Sequence, residues 1–166
     1  MSKLQPYIAA LAGRTGLPLE VSPGGSFTAL LGGRRLLVKA LDAGDAILFY
    51  MEVGRPTLFR RGEVITALMG GNLFLAETRG AALSYDALNE MVALNLILPL
   101  HHLENEDFIN AFDNVLAAAE EWGKKLDTLN AEAEERARQA GAAASLDEES
   151  GGVEIAASGM NHMLRI

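Results

Sequence analysis

The amino-acid sequence predicts an α+β fold made of a helix, a three-strand antiparallel meander, a second helix, a two-strand hairpin and a long C-terminal helix. Two observations predict it. Apolar residues recur at helical spacing near the start and again from about residue 105, and strand-like runs between them are separated by glycine-containing turns. The chain has 166 residues, 49% hydrophobic and 22% charged, which suits one folded domain.

The first predicted elements are a short helix and the meander. Leu4, Ile8 and Leu11 lie about one helical turn apart and predict a helix over residues 3–12, with Gly13 as its stop. The glycines at 32 and 33 can both take positive φ, which is typical of a two-residue hairpin turn. The strands of the meander are predicted over 26–31, 34–41 and 46–53.

The later elements follow from the same periodicities. A second helix is predicted over 62–69, and a strand pair over 81–85 and 90–98. From Asn105, apolar residues recur at alternating spacings of four and three, which predicts a helix of about 35 residues that ends near Gly141. We therefore expect one domain over 1–140 and a flexible acidic tail over 141–166.

The charge and the hydropathy of the chain argue against two classes of partner. Acidic residues outnumber basic ones by 22 to 14, and the excess lies after residue 103, so phosphate backbones would be repelled and no nucleic-acid partner is expected. The longest apolar stretches, 46–51 and 91–100, are shorter than the roughly 18 residues of a membrane-spanning helix, so no membrane insertion is expected.

No pattern predicts an enzyme. Gly123-Lys124-Lys125 lies inside the last helix and lacks the other residues of a phosphate-binding loop. Adjacent His101 and His102 could join a metal cluster or an acid–base pair, but a solvated turn is the favoured interpretation because nothing nearby supplies a nucleophile. Trp122 lies on the apolar stripe and is interpreted as core. We expect no cofactor, no metal ion and no catalytic residue.

The predicted strands carry apolar residues on both faces. In the third strand Ile47, Phe49 and Met51 point one way, while Leu48 and Tyr50 point the other. A sheet with one face in water should alternate apolar and polar residues, so something must shield the second face. Two interpretations stay open. Intrachain packing or a second copy could cover this face, or it could form a groove for a polypeptide that adds main-chain hydrogen bonds at a strand edge.

An ordered set of local strings along residues 4–126 is shared with one protein family. The strings are Gly16 to Val21, the strands around Gly32-Gly33, LMGGNLFL at 68–75, Gly80 to Tyr85, Val92 to Leu94, Leu98 to Leu100 and Phe112 to Leu126. Together they resemble the Tir chaperone (CesT) family, the class I chaperones of bacterial type III secretion. The segment 130–166 lies outside this resemblance.

The resemblance implies a homodimer in the bacterial cytoplasm. Such a protein would bind the N-terminal chaperone-binding region of secreted effectors, keep it extended and secretion-competent, and assist its delivery to the export ATPase. The implied dimer interface comprises Val64, Leu68, Asn72, Leu83 and Tyr85. The implied effector-binding residues are Tyr7, Leu11, Leu30, Leu37, Leu48 and Tyr50. A dimeric chaperone-fold module that binds other proteins, with no role in secretion, is the alternative.

The chain departs from the family's pattern at Gly70-Gly71. Family members usually have larger or alanine-type residues at these positions. The middle helix either ends here, or the glycines let two backbones approach closely at the dimer axis. Both interpretations stay open at the level of sequence.

Overall fold

A computed structural model describes residues 3–41 and 45–158. The predicted α+β fold and the order of its elements are confirmed. The helices are α1 (Gln5–Thr15), α2 (Arg61–Met69) and α3 (Asn105–Ser158), and a 3-10 segment (Gly70–Leu75) follows α2. The strands are β1 (Ser26–Leu31), β2 (Arg34–Leu41), β3 (Ala46–Gly54), β4 (Ala82–Asp86) and β5 (Met91–Pro99).

The five strands form one antiparallel sheet in the order β1-β2-β3-β5-β4. The meander pairs as predicted, and its first turn has φ of 56° at Gly32 and 80° at Gly33. These values are positive and strain-free only for glycine, which explains the tight connection. The second hairpin folds back so that β5 lies beside β3 and leaves β4 at an edge of the sheet.

One face of the sheet carries the core. Phe49 and Met51 of β3 and Leu94 of β5 are at most 1% exposed on this face, beneath α3. The ring of Phe108 on α3 lies 5.0 Å from that of Phe49 and 5.2 Å from that of Tyr7 on α1. Burial of each large apolar side chain is worth about 1.5–3 kcal/mol, so this layer holds the helices on the sheet.

Glycines let α3 lie close to its neighbours. A Cβ atom at Gly54 would lie 3.0 Å from Leu126, and one at Gly71 would overlap the indole of Trp122. The indole Nε1 of Trp122 donates to the carbonyl of Glu77 at 3.2 Å. Gly71 is therefore the place where the 3-10 segment and α3 meet, and α2 ends just before it, at Met69.

Two predicted helix ends are wrong. Helix α1 continues through Gly13 to Thr15 and is capped by Gly16 at φ 69°, whose N–H donates to Ala12. Helix α3 continues through Gly141 to Ser158, which makes it about 81 Å long. A single glycine in a helix costs only about 1 kcal/mol relative to alanine, and the alanines around Gly141 favour helix. The predicted flexibility of 141–166 stays a prediction, and 159–166 lie outside the described residues.

The part of α3 beyond the sheet is held by the connection between β3 and α2. The amide of Asn130 donates to the carbonyl of Arg55 at 3.0 Å and accepts from the N–H of Thr57 at 2.8 Å. Ala133 is fully buried, and Arg136 lies 3.6 Å from the carboxylate of Glu63. These contacts anchor α3 for about three turns past Trp122.

Candidate protein-binding surfaces

The second face of the sheet is exposed to solvent in the part of the chain that the structure describes. Four of the predicted effector-binding residues, Leu30, Leu37, Leu48 and Tyr50, point to this face, which we call the open face. The pairing register places Leu37 opposite Tyr50 and Tyr50 opposite Asn95. Leu30 is 72% exposed near the end of β1. The structure therefore brings these four side chains onto one continuous surface.

Ile97 is also exposed on the open face, at 58%, although the sequence did not identify it as a candidate binding residue. The register pairs Ile97 of β5 with Leu48 of β3, so the two side chains are direct neighbours. The alternation within β5 indicated which residues share a face with Ile97. Only the pairing of β5 with β3 shows that this face is the open one.

A concavity of about 320 Å³ lies on the open face and extends to the turn between β4 and β5. Its lining combines apolar and charged side chains: Thr28, Arg35, Leu37, Tyr50, Glu52, Asp86 and Asn89. The guanidinium of Arg35 pairs with Glu52 at 2.9 Å. Burial, and then the carboxylates of Glu52 and Asp86, raise the pKa of Tyr50, so its hydroxyl stays neutral and can both donate and accept a hydrogen bond.

The two edges of the sheet differ in their capacity to accept another strand. At β4, the side chain of Asn72 donates to the carbonyl of Leu83 at 3.0 Å and accepts from its N–H at 2.7 Å. This amide occupies both main-chain groups that an added strand would need there. At β1, the N–H of Ala40 in β2 donates to the carbonyl of Gly25, so Gly25 is hydrogen-bonded to β2. In an antiparallel pair every second residue is bonded in this way, and the main-chain groups of the residues between point to the other side. The N–H and C=O groups of Thr28 and Leu30 therefore point away from β2. Among the described strands, β1 thus presents main-chain groups at Thr28 and Leu30 to an added strand, whereas those of Leu83 in β4 are already hydrogen-bonded.

The two predicted residues of the first helix lie elsewhere. Leu11 is 1% exposed and belongs to the core between α1 and α3. Tyr7 is half-buried against Phe108, and its hydroxyl donates to the carbonyl of Leu103 at 3.0 Å. The structure does not bring these side chains to the open face, so any contact of theirs with a partner stays a prediction.

The residues predicted for the dimer interface lie mostly inside the protomer. Val64, Leu68 and Leu83 are at most 3% exposed because α2 packs them against the sheet and α3. The side-chain amide of Asn72 is hydrogen-bonded to the main chain of Leu83 in β4. The hydroxyl of Tyr85 accepts a hydrogen bond from Arg61 at 3.2 Å. The large apolar residues that are exposed next to α2 in the chain are instead Leu58 and Phe59 before it, and Leu73 and Phe74 after it.

Neither a metal site nor a membrane-spanning helix is found among residues 3–41 and 45–158. No group of three metal-ligating side chains lies together there, and no helix is long and apolar enough to cross a membrane. The rings of His101 and His102 lie 3.8 Å apart on an exposed turn.

An antiparallel sheet that is covered by helices on one face and exposes apolar side chains on the other is a surface on which an extended polypeptide can bind. The family model described as Tir chaperone protein (CesT) family matches residues 7–123. The chain belongs to this family, which is a family of chaperones and not of enzymes. No curated protein matches the sequence.

Solved type III secretion structures share the fold. A chain of the ExsC-ExsE complex is 24% identical, with a TM-score of 0.66 over 76% of this chain and 97% of that one. The structure of the Yersinia pestis type III secretion chaperone SycH in complex with a fragment of YscM2 matches at 14% identity and a TM-score of 0.55, over 73% of this chain and 97% of that one. The ExoU-SpcU complex from Pseudomonas aeruginosa matches at 20% identity and 0.54, over 74% and 95%.

Proposed function

We propose that this protein is a homodimeric type III secretion chaperone of the bacterial cytoplasm. It binds the N-terminal chaperone-binding region of secreted effectors, keeps that region extended and secretion-competent, and assists its delivery to the export ATPase. The observation that carries the proposal is the open face: apolar residues that no helix of the described chain covers lie beside a free strand edge. Membership of the CesT family and the fold shared with SycH and SpcU support it.

The open face suits an extended polypeptide. Leu48 and Ile97 on one register row, and Leu37 and Tyr50 on the next, provide apolar contacts at the spacing of alternate residues in a strand. The main-chain groups of Thr28 and Leu30 offer hydrogen bonds to an added strand at β1. Because Asn72 blocks β4 at Leu83, strand addition is directed to β1.

Burial of apolar surface supplies the free energy of such binding, and no nucleotide hydrolysis is required. Each large apolar side chain removed from water contributes about 1.5–3 kcal/mol, and ordering the bound segment opposes this gain. The net charge of −8 keeps the chaperone soluble and favours effector segments that carry basic residues.

The experiment replaces Leu48 with aspartate and co-expresses the variant with N-terminal fragments of effectors from the same bacterium. The amount of fragment that copurifies with the chaperone is then measured. Leu48→Asp places a charge in the centre of the open face, so we expect fragment binding to fall at least tenfold while the oligomeric state is unchanged. Leu17→Asp is the control, because Leu17 is exposed on the connection between α1 and β1, away from both the open face and α2. Binding that survives Leu48→Asp would show that the open face is not the effector site.

A further inference from the structure

The 3-10 segment after α2 presents apolar side chains to solvent. Phe74 is 90% exposed and Leu73 is 69% exposed. Phe74 has φ 58° and the next residue, Leu75, has φ 53°, a left-handed conformation that is strained for a residue with a side chain. The carbonyl of Leu75 holds this shape by accepting from Gly80 at 2.9 Å and from Thr78 at 3.2 Å. The backbone thus fixes the ring of Phe74 outward.

A groove of about 410 Å³ lies beside this ring, and we call it the Trp122 groove. Its apolar lining comes from Trp122 and the side chains of Ala67 and Leu129, and its polar rim from Glu77, Lys125 and Thr128. The ammonium of Lys125 lies over the indole, 4.1 Å from the ring centroid. Gly70 lines it without a side chain, and nothing lies within 4 Å of where its Cβ would be, so the space beside Gly70 is open. The groove thus has an apolar floor with a charged rim, and it is large enough to accept an aromatic ring.

The ring of Phe74 does not fill the groove of its own chain, because it is almost wholly exposed. Phe74 follows Gly71, which lines the groove, by three residues, so its Cα lies within about 11 Å of the groove. When a protruding group and a receptive groove lie side by side, a two-fold axis between them can place each group in the groove of the other copy.

The charges at the groove favour a second copy over a basic effector segment. Lys125 pairs with Glu77 at 2.7 Å, and Arg79 pairs with Glu121 at 2.6 Å. These four charges sum to zero, whereas the whole chain carries −8. Two copies repel one another least where the surface is neutral, while a basic segment is attracted to the acidic surfaces elsewhere.

We propose that Phe74 of one copy inserts into the Trp122 groove of a second copy, and reciprocally, across a two-fold interface. This inference rests on the homodimer proposed above and places its contact on the 3-10 segment and α3. An aromatic side chain buries about 150–250 Å², so the two rings would supply a substantial part of the roughly 1,200 Å² of a stable interface.

The first test compares Phe74→Ser with Leu88→Ser by sedimentation equilibrium of the full chain. Leu88 is 92% exposed at the turn between β4 and β5, so the two variants remove equally accessible apolar side chains. We expect Phe74→Ser to raise the dimer dissociation constant at least about 100-fold, because two rings are lost per dimer, and Leu88→Ser to leave it unchanged. Circular dichroism of both variants checks that the fold is kept.

The second test is complementation. Gly70 has right-handed φ and open space where a Cβ would lie, so Gly70→Leu fills the groove without strain in the protomer. We expect Gly70→Leu alone to weaken the dimer, and a mixture with Phe74→Ser to form heterodimers, because one intact ring then meets one open groove. The fluorescence of Trp122, the single tryptophan, should depend on protein concentration in the wild type and lose that dependence in Phe74→Ser.

The outcomes separate this inference from the proposed function. A wild-type dimer that Phe74→Ser leaves intact, or a mixture that stays monomeric, would overturn the Phe74 contact. A monomeric wild type would overturn both this contact and the homodimer. Effector binding that survives Leu48→Asp bears on the open face alone and leaves this inference standing.

Discussion

Substitution of Gly71 by alanine should destabilise the protein, because the methyl group would occupy the space of the Trp122 indole. A Cβ built at Gly71 overlaps two atoms of the ring, and a third lies 3.0 Å away. The indole is 4% exposed and tied to Glu77 by its Nε1, so it has little room to move. Overpacking of this kind costs about 1–3 kcal/mol, and loss of the Trp122 hydrogen bond adds about 1 kcal/mol.

The opposing gain is small. Replacement of glycine by alanine lowers the conformational entropy of the unfolded chain, which stabilises the folded state by about 0.4–1 kcal/mol. The net expectation for Gly71→Ala is a loss of about 1–3 kcal/mol, or roughly 0.5–1.5 M in the urea midpoint at an m-value of about 2 kcal/mol/M. Gly70→Ala is the matched control. It has right-handed φ and no atom within 4 Å of the new methyl, so it should stabilise by about 0.4–1 kcal/mol.

Urea unfolding, followed by Trp122 fluorescence and by circular dichroism, measures both variants against the wild type. All three proteins must be compared at one concentration, because association contributes to apparent stability. A Gly71→Ala protein that is as stable as Gly70→Ala would show that the Trp122 indole does not lie in contact with Gly71. A red-shifted emission of the folded Gly71→Ala protein would show that the indole has been displaced toward water.

Two further predictions concern single side chains. Asn130→Ala should cost about 1–2 kcal/mol in urea unfolding and speed hydrogen exchange at the Thr57 amide, because two main-chain partners are lost; unchanged exchange would contradict the role of Asn130. Hydrogen bonds from the side chain and N–H of Asn89, and then from Leu88, lower the pKa of Asp86. The pKa of Asp86 is lower in the folded than in the unfolded protein, so its ionised carboxylate stabilises the fold at neutral pH and that contribution is lost as the pH falls. Asp86→Asn should therefore lower the urea midpoint at pH 7 and have no effect on it near pH 2. An equal loss at both pH values would contradict this.

Much of the fold could be predicted from the sequence because its signals are local. The glycines at 32 and 33 permit one tight turn, and the alternation of apolar residues in β3 shows that neither of its faces is polar. The same alternation placed Leu48 and Tyr50 on one face of β3, and the resemblance to the chaperone family implied that they bind effectors together with Leu37. Local signals failed at helix ends, where Gly13 and Gly141 each cost too little to stop a helix that its neighbours favour.

The candidate sites depended on contacts between residues far apart in the chain. Leu11 and Val64 have the periodicity of core residues, and only packing shows that no surface is left on them for a partner. The amide of Asn72 closes one sheet edge through Leu83, a partner that no spacing identifies. The exposed ring of Phe74 follows from backbone angles that a sequence of apolar residues does not reveal.

The sequence by itself determined the elements, their order, the surplus of apolar strand residues and the likeness to secretion chaperones. The tertiary structure decided which sheet face stays open, that Ile97 lies beside Leu48, and that Phe74 points into solvent. The physical reason is that periodicity and turn sterics act between near neighbours along the chain, whereas the exposure of a side chain is set by whichever distant segment packs against it.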